Sequence, residues 1–158
     1  MARMGLSRGL SVVSWPAADF PSLGGNYTVT SPAARRYNCI AWGAANDARW
    51  WWPDARNIGY WPPNIPREET LDAFERAYAL QGYAPCSNGD LEPGVEKVAL
   101  YGLRVGTDMV PTHAARQLEN GRWTSKLGVC EDIEHDTLDA LIGPLYGAPV
   151  RFLRRPRP

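Results

Sequence analysis

A chain of 158 residues is long enough for one domain with a sizeable core. Its 17 basic and 17 acidic side chains cancel, which argues against a dedicated nucleic-acid binder, since such proteins carry a basic excess. No apolar run reaches the length of a membrane span, and three cysteines without a paired clip argue against a disulfide framework.

Taken in chain order, residues 1–36 are rich in Gly, Ser, Pro and Ala and read as an irregular arm, with a short strand at Tyr27 to Thr30. The arm has no continuous apolar stretch of the kind that marks a secretory signal. The expected location is therefore cytoplasmic, or exported by a route that needs no conventional signal peptide. Asn38 to Asn46 reads as a short helix opening on Cys39. Trp50-Trp51-Trp52-Pro53 through Tyr60-Trp61-Pro62-Pro63 is an aromatic loop, because its prolines forbid a regular helix or central strand.

Pro66 to Gln81 is the clearest helix. Pro66 suits its first turn, Glu68 and Glu69 suit its positive end, and Gly82 suits its C-terminal cap. Leu71, Phe74 and Tyr78 fall on one stripe. Lys97 to Arg104 reads as a strand. Thr112 to Glu119 and Arg122 to Leu127 flank Asn120-Gly121, a short-range hairpin signal. Asp136 reads as the cap of a short helix carrying Leu138, Leu141 and Ile142, and Val150 to Leu153 as a last strand. The basic residues 154–158 read as a frayed tail. This order gives an α+β architecture, with one domain over 37–153.

A nucleophilic cysteine needs a positive environment and a nearby base. Cys39 has a helix start, and His113 lies on a later strand. Cys39 between Tyr37 and Ile40 equally suits a core thiol. The hairpin decides what His113 faces. A strict two-residue turn at Asn120-Gly121 puts His113 on the face of Thr124 and Lys126. A loop with an odd residue puts it on the face of Gln117, Trp123, Ser125 and Leu127, towards the cysteine helix; we adopt that register. Trp51, Trp52 and Trp61, with Trp42, form either a substrate-binding groove wall or a lid on the core. Cys130 and His135 are the only closely spaced zinc-ligand pair, so no metal and no cofactor are expected. The acidic run Glu131 to Asp136 reads as a solvated face.

Three segments resemble the papain-like cysteine peptidase superfamily, especially its compact NlpC-type and CHAP-type bacterial members. They are Asn38-Cys39-Ile40-Ala41-Trp42, His113-Ala114-Ala115-Arg116 and Gly121-Arg122-Trp123-Thr124-Ser125-Lys126. The aromatic, cysteine and Trp123-to-Gly128 motifs also resemble small bacterial domains of unknown function. The resemblance implies an N-terminal helix bearing the cysteine, packed on a small antiparallel sheet. It implies a peptidase or amidase with Cys39 as nucleophile, His113 as base and Ser125 as the residue that orients His113. It places the oxyanion at the Cys39 N–H and Asn38, and a peptide or protein substrate in the groove of a monomeric domain, with no nucleic acid and no membrane as partner. The alternative is a catalytically silent module of that fold, holding a peptide or partner protein in a tryptophan-rich groove.

Overall fold

The computed structural model describes residues 13–158. Seven strands form one antiparallel sheet, and two short helices cover one face. In chain order the elements are β1 (Tyr27–Ser31), α1 (Cys39–Gly43), α2 (Leu71–Ala79), β2 (Ala84–Cys86), β3 (Val95–Val105), β4 (Asp108–Gln117), β5 (Trp123–Lys126), β6 (Asp132–His135) and β7 (Ala148–Pro156). Single 3-10 turns sit at Ala17–Asp19 and Leu138–Leu141. Across the sheet the order is β1-β6-β5-β4-β3-β7-β2.

The expected papain-like fold, a cysteine helix on a small sheet, is overturned. Among the described residues, helix is confined to five residues in α1, nine in α2 and the two turns, while the sheet has seven strands. Segments without a strong strand signature supply the difference. The supposed arm contributes β1 and the buried Trp15, Phe20 and Leu23. The acidic run contributes β6, and the supposed tail extends β7 to Pro156. Arg155 and Arg157 reach the buried Glu96, so ion pairing holds the end of the chain on the sheet. The domain therefore runs beyond both boundaries drawn at 37 and 153; residues 1–12 of the expected arm lie outside the described residues.

Local chemistry sets the helix lengths. Asn38 caps α1 by accepting from the Ala41 N–H. Ala45 takes a left-handed backbone with φ of 60°, which stops α1 short of the expected Asn46. Thr70 caps α2 through the Ala73 N–H, so the helix begins five residues after the expected Pro66. Leu71, Phe74 and Tyr78 do form its buried stripe.

The core lies on both faces of β3, whose Val98, Ala99, Leu100 and Tyr101 are all fully buried. Val98 and Leu100 join Ile40, Phe74, Tyr78 and Ala114 under the helices. Ala99 and Tyr101 join Phe20, Ala115, Trp123, Ile133 and Leu141 on the other face. Each large apolar side chain so buried contributes roughly 1.5–3 kcal/mol. Both neighbours of β3 gain one residue near Tyr101: Thr112 in β4 and Val150 in β7.

Candidate functional site

The hairpin has the odd-residue register. Gln117 pairs with Trp123 and Arg116 with Thr124, and Gly121 has a left-handed φ of 88°. His113 therefore shares a face with Gln117, Trp123 and Ser125. That face is not the one covered by the cysteine helix. Cys39 and its neighbours pack with Ala114, whereas His113 lies against Tyr101 and Tyr146 on the far side. The two meet only across β4. The Cys39 thiol donates to the Thr112 carbonyl at 3.8 Å, and the Ala114 N–H lies against the same sulfur. Both groups belong to the residues flanking His113.

His113 is fully buried. Its Nε2 lies 3.0 Å from Ser125 Oγ, so Ser125 does contact the histidine. Ser125 Oγ is also 2.8 Å from Nε2 of His135, whose Nδ1 is 2.8 Å from the Thr137 carbonyl. The other nitrogen of His113, Nδ1, is buried and has no hydrogen-bond partner among the described residues. A buried polar atom without a partner costs about 1–3 kcal/mol, so this one needs an explanation. Burial, then the neighbouring His135, holds the His113 pKa well below the usual histidine range. Burial likewise lowers that of His135 to about 4.

Burial raises the Cys39 thiol to about 11, against the opposing pull of the Ala114, Ile40 and Cys39 N–H groups. Two of those N–H groups belong to the start of α1 and suit a developing negative charge. The Asn38 side chain does not. Its Oδ1 accepts from the Ala41 and Trp51 N–H groups and its Nδ2 donates to the Trp51 carbonyl, so it pins the aromatic loop to α1. The expected oxyanion contact of the Asn38 side chain is thereby spent on the fold.

Cys39 opens into a cavity of about 300 Å³ that is also lined by Trp50, Trp52, Thr112 and Tyr146. A second cavity of about 500 Å³ shares Trp52, Thr112, Gly128 and Tyr146 with it, and extends the groove past Trp15, Phe20 and Leu145. Of the four tryptophans expected in a groove wall, Trp52 is the one that lines it. Trp51 and Trp61 are buried in the core, the latter donating to the Pro66 carbonyl. Trp42 lies under Arg116 and donates to Thr124. Asp54 closes the loop by accepting from the Ile58 and Gly59 N–H groups, which hold its carboxyl below the usual range.

Sequence reasoning placed Trp50 in the aromatic loop, but it missed Tyr146 and, beyond a pairing with Cys130, the place of His135. His135 had a signal. Ile133 and His135 alternate in the sequence with Asp132 and Glu134, a two-residue period that marks a strand; the fold buries Asp132 too, as acceptor for the Tyr37 hydroxyl. Tyr146 sits in a turn and carries no such pattern. Among the described residues, no three His, Cys, Asp or Glu side chains gather as a metal site would require, and no helix is long and apolar enough to cross a membrane.

A family model described as Domain of unknown function (DUF7689) matches residues 28–154. The chain belongs to this family. The DUF7689 match starts within β1 and ends within β7, so it takes in Cys39, His113, Ser125 and His135. It carries no link to the papain-like superfamily. No curated protein and no solved structure matches the chain.

Proposed function

We propose that this DUF7689 domain is a cysteine hydrolase acting on an amide or peptide bond, with Cys39 as nucleophile and His113 as base. The observation that carries the reading is the unpartnered, buried Nδ1 of His113, on the residue whose neighbours hold the Cys39 sulfur. A base aimed at nothing in the resting state is what a transferable thiol proton requires.

The two side chains rest on opposite faces of β4, so the step requires the thiol to leave the Thr112 carbonyl and reach Nδ1 around the β4 backbone at Thr112. The proton passes from sulfur to Nδ1, and the sulfur forms a bond to the substrate carbonyl carbon. The N–H groups at the start of α1 take the negative oxygen. The C–N bond then breaks, the amine leaves with the proton from Nδ1, and water cleaves the thioester to restore the thiol. Ser125 holds the imidazole through Nε2. The groove beyond Trp52 would seat the rest of a peptide or protein substrate.

A second reading has its own support. The thiol is buried, raised to about 11 and already bonded to Thr112, which suits a silent module that holds a peptide in the groove. Alkylation separates the two. Under the hydrolase reading, iodoacetamide at pH 7 labels Cys39 in the folded protein faster than it labels Cys86. His113→Gln then slows Cys39 labelling at least tenfold, as loss of a general base predicts. Labelling of Cys39 only after unfolding overturns the hydrolase and leaves the binding module.

A further inference from the structure

Ser125 alone cannot fix His113, because a hydroxyl both donates and accepts. What it does here depends on its other partner. The Thr137 carbonyl only accepts, so Nδ1 of His135 must carry the proton in their 2.8 Å contact. His135 is buried and neutral at physiological pH, so its Nε2 is then a bare acceptor. The Ser125 hydroxyl must therefore donate to His135 across 2.8 Å. That leaves a lone pair on Ser125 Oγ, which takes the proton of His113 Nε2 across 3.0 Å. Each contact dictates the next, and the reverse order would set two lone pairs against each other. The end of the chain is Nδ1 of His113, which is left without a proton and without a partner.

We infer that His135 is a positioning residue that fixes, through Ser125, the Nε2–H form of His113 and so leaves Nδ1 free to take a proton. The hydrogen-bond order rests on the geometry together with the neutral state of buried His135; its catalytic purpose rests on the hydrolase reading. A carboxylate in this role would bring a negative charge into a fully buried site. The His135–Thr137 pair instead ends on a neutral backbone carbonyl, at no cost in buried charge. That explains how serine can fill a place where a side chain of fixed polarity is needed.

Nitrogen NMR of the full chain labelled with ¹⁵N-histidine tests it, because an unprotonated ring nitrogen and a protonated one resonate far apart. In the wild type, Nδ1 of His113 should be unprotonated and Nε2 protonated. His135→Leu removes the acceptor, so Ser125 turns to donate to His113 and a Nδ1–H population appears. His135→Gln restores an acceptor where Nε2 stood and should restore the wild-type pattern. Cys39 labelling should fall at least tenfold in His135→Leu and recover in His135→Gln. A protonated Nδ1 on His113 in the wild type overturns the inference, as does an unchanged pattern in a folded His135→Leu. If His135→Leu does not fold, the wild-type spectrum and His135→Gln still decide. The wild-type nitrogen pattern with an inert Cys39 would sink the hydrolase and keep the hydrogen-bond order. A reactive Cys39 with the opposite pattern would do the reverse.

Discussion

The rings of His113 and Tyr146 lie face to face, with centroids 4.1 Å apart and planes 11° from parallel. Tyr146 also lines both cavities, so it stands between His113 and the groove. Removing it admits water to the imidazole. Tyr146→Ala should raise the His113 pKa towards the ordinary value near 6.5, because burial is the main cause of its depression. An NMR titration reads this directly, and an unmoved pKa would show that Tyr146 does not shield the ring. The lost ring should also cost about 3 kcal/mol in denaturant unfolding.

Both histidines of the chain are buried and held neutral, which sets the response to acid. The unfolded chain binds their protons more readily than the folded one, so stability falls as pH drops. The His135 contribution is complete above about pH 6.5 and disappears progressively towards about pH 4, a difference of about 3 kcal/mol. His113 deepens the loss in the same direction. Urea unfolding at pH 7 and pH 4.5 should show it, and His135→Gln should flatten the slope without abolishing it. An equal slope in the variant would mean that His135 titrates normally in the folded state.

Gly43 closes α1 against the sheet. A Cβ there would meet the Tyr78 hydroxyl at 2.6 Å and the Ala114 Cβ at 3.0 Å. Alanine improves helix propensity by at most about 1 kcal/mol, whereas overpacking costs roughly 1–3. The hydroxyl cannot swing away freely, since it donates to the Ile40 carbonyl at 2.7 Å. Gly43→Ala should therefore lower the melting temperature, by an amount corresponding to about 1–2 kcal/mol. A gain in stability would mean that α1 has room to move off β4.

Arg67 fastens the aromatic loop. Its guanidinium donates to the Trp52, Asp54 and Gly59 carbonyls and pairs with the Asp54 carboxylate. Arg67→Ala strips these together and should cost about 2 kcal/mol, since the site is only partly screened from water. Tryptophan fluorescence should shift to the red as Trp52 loses its seat. Unaltered emission and stability would place the strength of the loop in Asp54 and the prolines instead.

What could be read in the residues depended on periodicity. Leu71, Phe74 and Tyr78 gave the buried stripe of α2 because packing and pattern agree there. The β4–β5 hairpin was legible as a pair, and its odd register followed from giving His113 a buried face. Its partner was misjudged, because alternation says that a side chain is inside without saying which of two cores receives it. β1 was legible as a short strand at Tyr27 to Thr30, whereas β6 escaped notice for a different reason. Ile133 is the one apolar residue among its four, so the segment carries little apolar signal although Asp132, Ile133 and His135 are all buried. Cys39 at a helix start was legible from Asn38; its bond to Thr112 depends on contacts between segments distant in the chain.

The extra residue at Thr112 has a last consequence. Upstream of it, Pro111 pairs with Gly102 and Met109 with Arg104, which brings Met109 to the helix-covered core while His113 points to the other. The strand thus changes reading frame at one position, next to its only histidine. Length sets the frame there, while the Thr112 hydroxyl ties the strand to the next turn by donating to the Tyr146 carbonyl at 2.6 Å. Replacing Thr112 by valine would cost that one bond, but deleting it would exchange the two sides for everything upstream in β4.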